Sequence, residues 1–253
     1  MKTVTPIKYY NLGSILRYLL DAKQGWRVKG DIFIYSNLKA LITGVDELQL
    51  PVSAMGLRTL RNLEVQLKAV PDGEKLTLEQ QKALNTAARG FREVIAAELR
   101  SLIVYTLVPK RYPSDVLLSK VGTLLAANIF SSLTTIAQFD LEEAGKCIAF
   151  ERPTAAAFHI LRATEATLKD FYLHSVKHKR TKHLMMGPII ADMRIKRKTK
   201  HLTDLIACLD NIRNSYRNPT QHPEKAYDLD QVQDLLSICF DAITKLSKAK
   251  AVM

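Results

Sequence analysis

Two apolar stripes near the C-terminus leave this chain little freedom of architecture. Leu202, Leu205, Ile206, Leu209, Ile212 and Tyr216 form the first, and Val232, Leu235, Leu236, Cys239, Ala242, Ile243 and Leu246 the second. Intervals of three and four residues put each set on one face of an α-helix, and such a face must be buried against others. A long helix is expected upstream from about Pro153 to Val176. Before it a shorter one is expected with Asp140 as its cap and Glu142 and Glu143 in the first turn, where the helix dipole favours acids. Gly145 is awkward in a helix interior unless another backbone packs closely there. Residues 140–250 therefore read as a bundle of four or five amphipathic helices.

The preceding part is mostly helical by the same reading. Ser53–Val70 is rich in Leu, Arg, Glu and Gln and stops at the turn Pro71-Asp72-Gly73. Thr77 opens a long helical stretch with Gln80 in the capping-box position. The chain then turns β-like at IVYTLV (103–108), before Pro109 and Pro113, and a second candidate strand is Asp31–Tyr35. Asp115–Leu133 resembles an apolar helix interrupted at Gly122. The expected class is all-α, with residues 1–135 a mainly helical region carrying a short β element and 136–253 a helical domain.

Charge narrows the partners. Lys and Arg number 37 against 25 Asp and Glu, a formal net charge of +12. Residues 177–201 hold Lys177, Lys179, Arg180, Lys182, Arg194, Lys196, Arg197, Lys198 and Lys200 against one acid, Asp192. Concentrated positive charge attracts polyanions, so these side chains are candidate RNA contacts. No amphipathic anchor or lipidation motif accompanies them, and no membrane partner is expected. The N-terminus lacks the apolar core of a secretory signal, and Cys147, Cys208 and Cys239 read as reduced, buried thiols. A cytoplasmic location is the expectation. No GxxxxGK[ST] loop is present, which argues against an ATPase.

Between the last two stripes lies Tyr216-Arg217-Asn218-Pro219-Thr220-Gln221-His222-Pro223-Glu224. Pro219 disfavours helical geometry for Asn218, so the helix is expected to end near Arg217, and Pro223 restricts His222 in the same way. The pair has suitable chemistry for phosphodiester cleavage. Histidine titrates near neutrality and moves protons. Arginine binds phosphate oxygens through a planar fork and offsets the charge of the transition state. RNA brings its own nucleophile in the 2′-OH, so no metal or other cofactor is required.

Arg217-Asn218, three residues, then His222 resembles the RNxxxH form of the RX4–6H motif of HEPN domains (higher eukaryote and prokaryote nucleotide-binding). Residues 140–168 also resemble uncharacterised bacterial HEPN-like proteins, through an EAG-containing helix followed by Thr154, Ala155, Phe158, His159, Arg162 and Glu165. The resemblance covers about residues 136–250. It implies a four- or five-helix bundle with the motif between the last two major helices, His222 as acid/base, Arg217 as the phosphate-orienting cation and Asn218 as the polar residue beside it. It further implies homodimerisation or a higher homo-oligomer, metal-independent endoribonuclease activity, a role as toxin or defence effector in abortive infection or antiviral defence, and an antitoxin or sensor protein as partner. Some members have lost activity and serve as nucleotide-, RNA- or protein-binding modules.

Several neighbours carry two readings each. Glu165 falls on the stripe of Phe158, Leu161, Leu168 and Tyr172, so its carboxylate needs a cationic partner, with Arg217 and Arg213 the candidates. It either orients Arg217 for catalysis or fixes helix packing. Arg162 belongs to that polar network or is a surface residue. His159 reads as a satisfied packing histidine. His174 and His178 have helical i, i+4 spacing, but the HExxH glutamate is missing and no third ligand stands out, so no metal is expected. Tyr227 is a candidate for stacking on a base, Tyr216 for core packing. Asp228 caps the last helix with Gln231. A sequence-specific DNA-binding regulator ranks last, because no helix-turn-helix or zinc module is present.

Overall fold

The computed structural model describes residues 4–176, 181–222 and 225–252. They are all-α, and among them the only β pairing is a single antiparallel bridge between Arg27 and Lys75. The chain divides into two compact units, Met1–Tyr105 and Thr106–Met253. The division falls at 105/106 rather than at 135/136, because residues 114–133 pack on the helices that follow them.

The first unit holds α1 (Pro6–Leu20), α2 (Ile34–Leu48), α3 (Pro51–Gly56), α4 (Arg58–Lys68) and α5 (Leu78–Ser101). The strand expected at Asp31–Tyr35 does not form. Ile34 is instead the first member of a helical stripe, Ile34, Leu38, Leu41, Val45 and Leu48, that is buried along one face of α2. The helix expected over 53–70 is divided into α3 and α4. The first turn of α3 is held by a side chain from α5: Val52 N–H and Ser53 N–H donate to the Glu98 carboxylate at 3.0 and 2.7 Å. Thr77 and Gln80 form the expected capping box, with bonds of 3.2 and 3.0 Å. After Ser101 the apolar residues Ile103, Val104 and Tyr105 are exposed and enter no β ladder. Branched and aromatic side chains favour extended backbone, but a strand needs a partner, and none of the described residues supplies one.

The second unit is built on a helical hairpin, α8 (Thr135–Ala149) and α9 (Pro153–Ser175), against which α13 (Leu229–Ala251) packs. The stretch 115–133 forms α6 (Ser114–Ser119), a 3-10 turn (Val121–Leu124) and α7 (Ile129–Ser132) instead of one interrupted helix. The expectation for Gly145 holds. A side chain there would collide with the backbone carbonyl of Leu117, so α6 rests directly on α8. Asp140 does not cap α8. Thr134 does, by accepting from Ala137 N–H at 3.4 Å, and Asp140 lies in the helix interior, fully buried.

Three further helices complete the bundle: α10 (Met186–Ile195), α11 (Thr203–Ile212) and α12 (Asn218–Gln221). Residues Arg213–Arg217 join the last two in a π-helical turn. The helix therefore continues past Arg217 and does not end there. Asn218 keeps right-handed helical geometry (φ −65°, ψ −50°) although Pro219 follows. Lys225 Nζ donates at 3.4 Å to Ser215 O, the carbonyl four residues back that the missing Pro219 N–H leaves without its helical donor, and Thr220 Oγ1 donates to Tyr216 O at 2.6 Å in the next position. Asp228 and Gln231 cap α13 as expected.

Candidate functional site

The π turn and α12 place the motif residues. Arg217 closes the turn, Asn218 opens α12, and His222 caps its C-terminal end, with His222 N–H donating to Asn218 O at 3.1 Å. Asn218 and His222 are thus one helical turn apart and share a face. π turns inside helices recur at functional sites, because the extra residue re-aims the side chains on either side of it. The His222 side chain is exposed and makes no hydrogen bond or ion pair among the described residues.

Arg217 is anchored from α9. Its Nη2 lies 3.4 Å from Glu165 Oε2, while Lys169 Nζ lies 3.1 Å from Glu165 Oε1. The Glu165 side chain is 14% exposed and that of Arg217 26%, so the carboxylate sits where water screens it little. Arg213, the other candidate partner, is held by Asp210 at 3.1 Å and by Asn214. The Arg217 Nε is buried and has no hydrogen-bond partner. It belongs to a guanidinium that lines a cavity of about 230 Å³, together with Arg213, Asn218 and the Met185–Pro188 segment. Of the four candidate catalytic residues, Arg217 and Glu165 are in contact, Asn218 borders the same cavity, and His222 follows one turn later.

Arg162 does not join that network. Its Nε donates to Asp140 Oδ2 at 2.7 Å, and His159 Nδ1 is 2.9 Å from Asp140 Oδ1. A fully buried carboxylate thus joins α8 to α9 through two partly exposed cationic or polar groups. The cluster was legible in part. Asp140 falls at helical spacing among Ala137, Leu141, Ala144 and Ile148, the buried face of α8, and an acid on such a face requires partners.

Tyr227 is not an open stacking platform. It is 5% exposed, its hydroxyl lies 2.8 Å from Thr220 Oγ1, and the Lys225 ammonium sits 4.9 Å above its ring. Burial pushes its phenol pKa up, against the lowering effect of Thr220. Of the basic candidates, Lys177, Lys179 and Arg180 lie outside the described residues, as does His178. Arg194 pairs with Asp210 at 2.6 Å and Lys196 with Asp192 at 3.7 Å. Lys182, Arg197, Lys198 and Lys200 are exposed. Cys239 is fully buried, and that burial pushes its thiol up to about 12, whereas Cys147 and Cys208 are only partly buried. Among the described residues no group of three His, Cys, Asp or Glu side chains is placed to hold a metal ion, and no helix is long and apolar enough to cross a membrane.

No family model, no curated protein sequence and no solved structure matches the chain.

Proposed function

We propose that the chain is a metal-independent endoribonuclease of HEPN type, acting as a homodimeric or higher homo-oligomeric effector of bacterial growth control or defence. One observation carries the reading: a guanidinium held by Glu165 borders a cavity, and an exposed imidazole follows five residues later at the C-terminal end of α12. The helical backbone between them matters because a group already in position needs no further ordering when the reaction occurs.

In the proposed reaction the 2′-OH of RNA attacks the adjacent phosphorus. The bond from phosphorus to the 5′-oxygen breaks, and a cyclic phosphate remains. His222 moves the proton, either from the attacking hydroxyl or to the departing oxygen. A second copy of the chain supplies the other proton-transfer group. Arg217 offsets the charge that builds on the phosphoryl oxygens. Asn218 is the polar group beside it, and Glu165 positions Arg217. The exposed Lys182, Arg197, Lys198 and Lys200 are suited to follow the RNA backbone, a contribution that weakens with salt. An antitoxin or sensor protein is the proposed regulator.

The test is cleavage of a labelled single-stranded RNA in EDTA. Wild-type chain is expected to cut, and His222→Ala to lose about 10²- to 10⁴-fold in rate. Because His222 is exposed, the melting temperature should stay the same. Wild type and mutant with equal rates, or a wild type that does not cut, would remove the proposal.

A further inference from the structure

The cavity beside Arg217 is more than the space next to a motif arginine. Arg213 and Arg217, one turn apart, both line it, and so do Met186 and Gly187 at the start of α10. We propose that this cavity binds the phosphate group of a nucleotide, with Arg213 and the first turn of α10 completing the site that Arg217 begins. The choice of ligand rests on the ribonuclease reading, whereas the geometry of the site does not.

Three independent observations point to an anion. Arg217 Nε is a buried donor without a partner, and buried donors of this kind are costly to leave unpaired. Arg213 commits Nε and Nη2 to Asn214 and Asp210. That leaves Nη1, the nitrogen nearest Gly187, for a ligand: a Cβ on residue 187 would stand 3.1 Å from it. Glycine at that position lets the guanidinium lie against the turn.

The local charge is the third observation. Arg194 and Arg213 share Asp210, and Arg217 and Lys169 share Glu165. Four cations against two carboxylates leave an excess of two positive charges in and beside the cavity, whose own lining holds Arg213 and Arg217 and no acid, and this favours an anion. The first turn of the ten-residue α10 adds to this. No side chain caps it, and Pro188 at its third position has no N–H to offer. The N–H groups of Met186 and Gly187 remain as donors at the positive end of the helix dipole.

Calorimetric titration of the full chain with 3′-adenosine monophosphate, inorganic phosphate and adenosine tests the site. The mononucleotide is expected to bind, phosphate to compete with it, and adenosine to bind at least about tenfold more weakly, since one charge-assisted phosphate contact contributes roughly that factor. Arg213→Ala should weaken mononucleotide binding about tenfold. Gly187→Ala should weaken it severalfold through the displaced guanidinium, and Arg92→Ala, which removes one exposed charge elsewhere, should leave it unchanged. If Arg213→Ala lowers the melting temperature, Gly187→Ala decides alone.

Equal binding of mononucleotide and adenosine, or wild-type affinity in both Arg213→Ala and Gly187→Ala, would overturn the site. A 3′-phosphorylated oligonucleotide that binds more tightly than the mononucleotide assigns the phosphate to RNA. Equal affinity assigns it to a free nucleotide, and either result supports a phosphate site. Binding without any RNA cleavage would remove the ribonuclease reading and keep the site. Cleavage with no mononucleotide binding would do the reverse.

Discussion

Glu165 Oε2 in α9 lies 3.4 Å from Nη2 of Arg217 at the end of the π turn, and Lys169 Nζ holds the other carboxylate oxygen at 3.1 Å. Between Leu161 and Leu168, both buried, the carboxylate occupies a place where an aliphatic side chain would pack. Its pairing fixes the guanidinium on the cavity side of the bundle. Glu165→Ala is expected to cost about 1–3 kcal/mol, less than a fully enclosed pair because the Arg217 side chain is 26% exposed. A double-mutant cycle of Glu165→Ala with Arg217→Ala should give a coupling above about 0.5 kcal/mol, and a value near zero would make the contact incidental. Cleavage should fall in Glu165→Ala and be partly retained in Glu165→Gln, which keeps a hydrogen-bond acceptor for Arg217.

The Asp140 cluster predicts an asymmetry. The carboxylate is fully buried, whereas the His159 and Arg162 side chains are 27% and 57% exposed. Removing both partners strands a charge in the interior, but removing the carboxylate leaves groups that water can reach. Combined His159→Ala and Arg162→Ala should therefore cost about 3–5 kcal/mol, and adding Asp140→Ala should recover part of that loss. Chemical denaturation measures both. A triple variant less stable than the double one would contradict this account.

Two glycines separate close packing from helix propensity. Gly145→Ala drives a methyl group into the Leu117 carbonyl and should destabilise by about 1–3 kcal/mol. Gly90, exposed inside α5, has only open space where a methyl group would stand, so Gly90→Ala should stabilise by about 0.5–1 kcal/mol. Shifts of the same sign in the two melting temperatures would show that the α6–α8 contact is not the cause.

Glu98 gives the first unit a dependence on pH. Burial acts to raise its carboxyl pKa, but hydrogen bonds from Ser53 and Val52 outweigh it and hold the value below the ordinary 4.5. A depressed folded value means that the contribution is complete above the unfolded range and is lost as pH falls through the folded one. The hydrogen-exchange protection of residues 51–56 in the full chain, taken relative to the intrinsic exchange rate at each pH, should therefore fall below about pH 4.5. Glu98→Gln should exchange faster at neutral pH and show a flatter acid profile. An acid profile identical to that of wild type would exclude Glu98 as the cause.

Much of the bundle was legible because helical periodicity is a local property. The stripes of α11 and α13, that of α9 apart from Phe158, which is exposed, the capping boxes at Thr77 and Asp228 and the need for a close neighbour at Gly145 all follow from spacing within about one or two turns. The apolar segments at 31–35 and 103–108 misled for the opposite reason. Strand formation depends on a partner, and Ile34 found a helical stripe to join, while Ile103, Val104 and Tyr105 found no ladder.

At the candidate site, sequence by itself determined which chemistry was present: an arginine, an asparagine and a histidine at fixed spacing, and an acid displaced onto an apolar stripe. Tertiary structure decided who met whom. It gave Glu165 to Arg217 and not to Arg213, gave Arg162 to Asp140, buried Tyr227, and carried the helix through Pro219 on side-chain hydrogen bonds from Thr220 and Lys225. Spacing fixes only the face of a helix on which a side chain stands. The partner is set by which other helix arrives at that face, and that depends on packing of the whole core.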